Sequence, residues 1–357
     1  MSLSLQADKT RALLVKHCND YPDLQPQDIF KFLFQSAFGC EHLASNADFV
    51  LNYIVDEYQR VGKNIAPLIE PLDGAYCRVH LSCLNAGLTA QTLAKLFLLS
   101  AKKEPNGLNL LEEKLQITKQ LISDGTLKID AALFDKSLDT WRDLGYPAIR
   151  HSDIFRNEYK PAYRVITDLY AHFLDIFTQI DRLKDNQKVV IAIEGGSASG
   201  KTTLAGILAK IYDASVIHMD DFFLRPEQRT PSRLQEVGGN VDRERFIEEV
   251  LTPLSQNRVV TYRPFDCSKM ALSEPVTVPD RRVTIVEGVY STHPAFGKYY
   301  DLSIFLDIDK DLQRSRILKR NGLELSNRFF NEWIPLEDVY FDKTQIKSRC
   351  YNKIIKN

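Results

Sequence analysis

No stretch of the 357-residue chain approaches the roughly 18 consecutive apolar residues that a membrane-spanning helix needs. The start, Met1-Ser2-Leu3-Ser4-Leu5-Gln6-Ala7-Asp8, lacks the basic and apolar blocks of a secretory signal. Both absences predict a cytoplasmic protein with no membrane partner. An excess of one charge is also missing: 46 basic side chains face 47 acidic ones, so no global field recruits nucleic acid or an anionic lipid surface. Cysteine is sparse, and the six residues Cys18, Cys40, Cys77, Cys83, Cys267 and Cys350 form no C-x-x-C pair. That spacing argues against a disulfide framework and a thiolate zinc site and predicts reduced thiols. No repeat period is evident, and no Asn-Lys-x-Asp stretch of the guanine-reading kind is present.

Against this background one motif stands out. Gly195-Gly196-Ser197-Ala198-Ser199-Gly200-Lys201-Thr202 fits G-x-x-x-x-G-K-[ST] and follows the apolar run Val189-Val190-Ile191-Ala192-Ile193. Downstream, Thr203-Leu204-Ala205-Gly206-Ile207-Leu208 places apolar residues at helical spacing, so the loop joins a strand to a helix N-terminus. In such a loop glycines let successive backbone N–H groups turn inward on phosphates, the lysine reaches the β/γ oxygens, and the hydroxyl ligates Mg²⁺. Gly195, Gly196, Ser197, Ala198, Ser199, Gly200, Lys201, Thr202 and Thr203 are therefore the expected nucleotide-binding residues. ATP and Mg²⁺ are the expected cofactors.

Periodicity divides the chain near residue 185. The first part, 1–183, reads as a mostly α-helical domain, with helices at about 2–18, from Pro26, and at about 47–61, 89–103, 109–123 and 161–180. Its best strand is 76–81. The second part, 186–357, alternates short β-branched runs at 188–193, 215–219, 258–262, 283–287 and 302–306 with helical segments. This rhythm predicts an α/β fold, a parallel sheet with flanking helices, preceded by the separate helical domain. In such sheets ligands lie beyond the carboxyl ends of the strands.

Those strand ends carry acids. Asp220-Asp221 follows 215–219, where a carboxylate can accept the proton of an attacking hydroxyl; Asp221 can face Mg²⁺ or cap the next segment. Both also suit a plain turn. Glu287-Gly288 closes 283–287, placing a second carboxylate where it can hold Mg²⁺. Beyond 302–306, the helix at 310–320 presents Arg316, Lys319 and Arg320, with Arg328 further on. These suit a lid that neutralises a transferring phosphoryl group, or a solvated basic helix face.

Taken together, Gly-Gly-Ser-Ala-Ser-Gly-Lys-Thr-Thr-Leu, Val-Ile-His-Met-Asp-Asp-Phe-Phe, Arg-Pro-Phe-Asp and Val-Glu-Gly-Val-Tyr resemble the uridine kinase and phosphoribulokinase family of P-loop kinases over about residues 188–330. Asp-Asp-Phe-Phe is also similar to nicotinamide riboside kinases. The resemblance implies transfer of the γ-phosphoryl of ATP to a hydroxyl of a small metabolite. It maps the catalytic base to Asp220, the Mg²⁺ carboxylate to Glu287, the lid to Arg316 and Arg320, and substrate contact to Asp242, Phe265, Asp266 and Tyr290. Phe265-Asp266 stands where the family has Tyr-Asp, and the lost phenolic hydroxyl bears on uridine or cytidine specificity. Leu325-Ser326-Asn327-Arg328 likewise departs from the family's Glu-Arg-Gly-Arg-like stretch.

The helical domain resembles nothing whose activity can be named. Cys40-Glu41-His42 and Cys77-Arg78-Val79-His80 hold metal-ligand types without zinc spacing. Arg150-His151-Ser152, with Arg156, Tyr159, Lys160, Tyr163 and Arg164, suits an anionic metabolite, a domain contact or an ordinary surface. Two function classes follow: an ATP-dependent small-molecule kinase, or an ATP-binding regulator whose P-loop domain controls the helical one. A small-molecule acceptor is the expected partner, and homo-oligomerisation stays open.

Overall fold

Leu3–Asp20 forms the first helix, α1, in a computed structural model that describes residues 3–40, 46–61, 68–183 and 187–355. Contacts divide the chain into two units, Met1–Arg182 and Leu183–Asn357. In the first, α1 is followed by α2 (Pro26–Phe38), α3 (Ala47–Val61), strands β1 (Ile69–Pro71) and β2 (Tyr76–His80), α4 (Ala90–Ser100), α5 (Gly107–Ser123), α6 (Ala131–Asp143), α7 (Asp153–Tyr159), β3 (Tyr163–Thr167), α8 (Asp168–His172) and α9 (Leu174–Asp181). Helix α2 starts at Pro26, whose fixed φ suits the first helical position, and the Asp28 carboxylate accepts the Gln25 N–H at 2.9 Å. Its Ile29, Phe30, Leu33, Phe34 and Ala37 are buried. Phe30 stacks on Trp141 of α6 with ring centroids 5.1 Å apart.

Where a single helix was expected at 161–180, the chain forms β3 and then two short helices. Tyr163-Arg164-Val165-Ile166-Thr167 is a β-branched and aromatic run, and β2 offers it an antiparallel partner that satisfies its backbone. Tertiary pairing outweighed the helical spacing of its apolar residues.

The second unit runs β4 (Val189–Gly195), α10 (Lys201–Tyr212), β5 (Ser215–His218), short helices α11 (Pro231–Gln235), α12 (Arg243–Phe246) and α13 (Thr252–Ser255), short strands β6 (Thr261–Tyr262), β7 (Phe265–Asp266), β8 (Ala271–Leu272) and β9 (Val276–Thr277), then β10 (Val283–Glu287), β11 (Leu302–Ile308), α14 (Lys310–Arg328), α15 (Ile334–Thr344) and β12 (Tyr351–Ile355). Five strands form a parallel sheet in the order β12-β11-β4-β10-β5. Ile191, Ile193, Ile285, Val286, Ile304 and Leu306 are buried in it, the continuous apolar runs of a sheet covered on both faces. The expected strand 258–262 is not part of this sheet. Only Thr261–Tyr262 pairs, with β9, because Arg263-Pro264 follows and proline cannot donate to a ladder. The edge strand β12 was not expected from the sequence; its residues alternate between partly buried and exposed until Ile355. Helix α14 extends past 320 and kinks at Gly322, where φ is 71°.

Register sets up the site. Glu287, the last residue of β10, lies opposite Ile193 of β4 on one side and His218 of β5 on the other. The carboxyl ends of three neighbouring strands are thereby level. Among the described residues, no helix is long and apolar enough to cross a membrane.

Candidate active site

The loop between β4 and α10 follows the strand with no room for a side chain at its first position and little at its second. A Cβ at Gly195, where φ is 144°, would stand 2.6 Å from the Leu306 carbonyl, and one at Gly196 would stand 2.9 Å from Gln313 Nε2. Lys201 Nζ donates to the Gly195 and Gly196 carbonyls at 2.9 and 3.0 Å, which curls the loop around its ammonium. The first-turn N–H groups of α10 have no helical acceptors, and the helix dipole adds positive potential at the same end. The buried Ser199 hydroxyl has no partner among the described residues. The lysine, the free first-turn N–H groups of α10 and the unpartnered Ser199 hydroxyl together fit a phosphate chain.

Two carboxylates face this loop. The Thr202 hydroxyl donates to Glu287 Oε1 at 3.1 Å, and His218 Nδ1 lies 2.7 Å from the same oxygen. Burial alone would raise the Glu287 pKa, but the His218 bond, Lys201 and the Thr202 hydroxyl together pull it below its ordinary value. Glu287 in turn raises His218. Asp220 sits on the single turn Met219–Phe222, and the flanking Met219 and Phe222 are buried, which pins the turn while leaving Asp220 open to solvent. Crowding by protein and then the charges of Glu287 and Asp221 hold its pKa above the ordinary carboxylate value, against the pull of Lys201 and His218. Asp220, Glu287, Thr202 and Lys201 are thus brought together. Asp221 is not joined to Thr202: its Oδ2 accepts the Tyr262 hydroxyl at 2.8 Å, and its carbonyl accepts Arg245 Nη2 at 2.7 Å.

The residues expected to touch an acceptor each also make contacts within the fold. Asp242 is buried, caps α12 through the Arg245 N–H at 3.2 Å and accepts Gln228 Nε2 at 2.9 Å. Asp266 closes a turn by accepting the Ser268 N–H at 2.8 Å. Phe265 is buried with the Arg229 guanidinium 5.8 Å from its ring. Tyr290 is buried at a φ of 74°, its N–H held by Glu194 at 3.1 Å. Of the expected lid cations, Arg316 reaches the loop, donating to the Ala198 carbonyl at 3.2 Å. Arg320 bonds Asn321 at 3.2 Å and Arg328 bonds Glu332 at 3.5 Å, and Lys319 is exposed.

Three loop-supporting residues escaped the sequence reading. Gln313 donates to the Ser197 carbonyl at 2.9 Å. Glu194 is fully buried and accepts from the N–H groups of Gly195, Tyr290 and Thr292 at 2.9, 3.1 and 3.2 Å and from the Tyr340 hydroxyl at 3.1 Å. Burial pushes its pKa up to about 7 despite those donors. The third, Glu337, lies in the stretch to which the sequence assigned no chemistry. Its carboxylate accepts the Ser197 N–H at 2.9 Å and the Ser197 hydroxyl at 2.5 Å. The preceding Trp333-Ile334-Pro335-Leu336, expected from its apolar character to pack against the domain, leaves Pro335 and Leu336 exposed while Glu337 is buried, so no sequence signal marked this acid. Glu337→Ala is expected to destabilise the second unit by about 1.5–3 kcal/mol, the value of hydrogen bonds to a buried charged group, with Glu337→Gln losing roughly half of that. Urea denaturation measures it; a midpoint unchanged in both variants would show that the contact contributes nothing.

In the first unit, Cys40 Sγ contacts the Phe97 carbonyl at 3.6 Å and Cys77 Sγ the Ile166 carbonyl at 3.8 Å. Burial pushes both thiols up to about 12. Glu41 and His42 lie outside the described residues. Among the described residues all the cysteines are free, and no three or more histidines, cysteines and carboxylates are grouped to hold a metal ion.

A glycine loop on β4, an acid ending β10 and an acid following β5 are the motifs of one nucleotide-handling fold in their spatial arrangement. Residues 190–324 match the Phosphoribulokinase / Uridine kinase family. The match to the Phosphoribulokinase / Uridine kinase family supports a P-loop kinase unit, a phosphotransferase by class. Uridine kinase of Chlamydia pneumoniae is 29% identical over 173 residues, 44% of this chain and 78% of that protein. Uridine kinase-like protein 4 of Arabidopsis thaliana is 29% identical over 146 residues, 39% of this chain and 31% of that protein. A solved structure titled as a possible uridine kinase from Bacillus stearothermophilus has a TM-score of 0.42 at 20% identity, covering 53% of this chain and all of that one.

Proposed function

We propose that the second unit is an ATP-dependent kinase that transfers the γ-phosphoryl group to a hydroxyl of a nucleoside, riboside or sugar-like metabolite. The observation that carries this reading is the grouping of Asp220 with Glu287 and Lys201 at level strand ends, because plain nucleotide binding needs no solvent-open carboxylate beside the loop. Lys201 and the loop N–H groups hold the phosphates. Asp220 orients the acceptor hydroxyl and takes its proton as the new oxygen–phosphorus bond forms and the bond from the γ-phosphorus to the β–γ bridging oxygen breaks, releasing ADP. Arg316, anchored near the loop, offers positive charge to the transferring group. The hard oxygens of Thr202 and Glu287, 3.1 Å apart, suit Mg²⁺, which when bound neutralises charge on the phosphate oxygens.

Purified protein is to be screened with ATP against a panel of nucleosides, ribosides and sugars, reading ADP release. Release that depends on one acceptor class supports the kinase. Tight ATP binding with no acceptor-dependent release across the panel favours the regulator instead.

A further inference from the structure

The carboxyl end of β5 is held beside that of β10 by the backbone as well as by register. Gly288 has a φ of 145°, and a Cβ there would stand 2.6 Å from the Met219 Cβ, so a residue with a side chain would force the two strand ends apart. On the other side the Gly288 N–H donates to the Ile193 carbonyl of β4 at 3.1 Å. His218, paired with Glu287 across the ladder, is thereby fixed against it.

Glu287 is clamped through a single oxygen. Its Oε1 accepts the Thr202 hydroxyl of α10 at 3.1 Å and lies 2.7 Å from His218 Nδ1 of β5. An ionised carboxylate only accepts, so Nδ1 carries the hydrogen of that bond, whose length is typical of bonds to a charged acceptor. Lys201 Nζ donates instead to the Gly195 and Gly196 carbonyls. Among the described residues His218 is therefore the one side chain outside the phosphate loop and its helix that donates to Glu287, and Glu287 Oε2 has no hydrogen-bond partner. Two bonds from different elements onto one oxygen fix the rotation of the carboxylate and leave the other oxygen free. The Glu287 side chain is 7% exposed, whereas that of His218 is 46% exposed. A ring with nearly half its surface in solvent adds little to the core, and its bond to Glu287 is the hydrogen bond it makes among the described residues.

We infer that His218 is a positioning residue for phosphoryl transfer: its Nδ1–H holds the Glu287 carboxylate in the rotation that leaves Oε2 open to a divalent cation on the nucleotide phosphates. This role rests on the kinase reading of the second unit, in which Thr202 and Glu287 would hold Mg²⁺. Groups that hydrogen-bond a metal ligand typically set about 10–100-fold of the metal affinity, because a ligand free to rotate must be ordered when the ion arrives. In this role His218 acts through Glu287 and touches neither the acceptor nor the phosphates.

The full chain, loaded with a non-hydrolysable ATP analogue, is to be titrated with Mn²⁺ while the EPR signal of the free ion is followed. His218→Ala should weaken Mn²⁺ binding about tenfold or more and leave binding of the analogue without metal unchanged. His218→Asn, whose amide nitrogen can stand where Nδ1 does, should recover most of the loss; His218→Gln, whose amide reaches instead to the Nε2 position, should not. In a Glu287→Gln background, His218→Ala should weaken binding no further. Wild-type Mn²⁺ affinity in His218→Ala, rescue by Gln equal to that by Asn, or a further loss in the Glu287→Gln background would each overturn the role of His218. Wild-type affinity in Glu287→Gln itself would remove Glu287 from the metal site, and the inference with it. The titration needs no acceptor, so failure to find acceptor-dependent ADP release would count against the kinase reading and not against the bond from His218 to the metal ligand.

Discussion

Asp220→Asn is expected to cut turnover by about 10²–10⁴-fold, the range a positioned general base contributes, while ATP affinity stays nearly constant. Asparagine keeps the size and a hydrogen-bond acceptor but cannot take a proton. The turn that carries it is held by Met219 and Phe222, not by the carboxylate, so the fold should survive. The pH profile makes the prediction more specific. Crowding and neighbouring acids raise the Asp220 pKa, so wild-type activity should fall on acidification through a value above that of an ordinary carboxylate, as the base becomes protonated. Steady-state kinetics with the acceptor found in the panel, together with ATP binding by calorimetry, measure both. Undiminished turnover in the variant would remove Asp220 from the mechanism.

Phe222→Ala should destabilise the second unit by about 3–5 kcal/mol. Its ring is wholly buried, with the Phe246 and Tyr262 centroids each 4.9 Å away and the Arg245 guanidinium at 4.4 Å. Truncation removes that apolar burial and leaves a cavity that the parallel sheet cannot collapse into. It also frees one end of the Asp220 turn, so the fraction that remains folded should turn over more slowly. The chain has two tryptophans, Trp141 and Trp333, one in each unit. In a Trp141→Phe background, Trp333 fluorescence through a urea titration therefore reports on the second unit. A loss below about 1 kcal/mol would show that the ring is replaceable, as would Phe222→Leu behaving no better than alanine.

The phosphate loop was legible because its chemistry is local. Glycines, lysine and threonine at fixed spacing between a strand and a helix have few other uses, and the strand ends at Asp220 and Glu287 could be found by counting from apolar runs. Asp242 and Asp266 look equally suggestive in sequence, and packing added what spacing could not show, that one caps α12 and the other closes a turn. Glu194 and Glu337 show the reverse: acids without a motif that become buried because β4 and α15 are packed against the loop. The expected helix at 161–180 failed for the same reason, since β2 offered β3 hydrogen bonds that periodicity within one segment cannot represent.

Sequence by itself determined that this protein has a phosphate loop, that a parallel sheet carries it, and which acids can follow the strands, because these depend on residue type and short spacing. Tertiary structure decided which acids meet Lys201, that Glu337 grips Ser197 from 140 residues away, and that Glu70, Arg78, His80 and Tyr163 share one buried face. Those outcomes depend on strand register and packing between distant segments, and register moves every side chain from one face to the other with a shift of one residue.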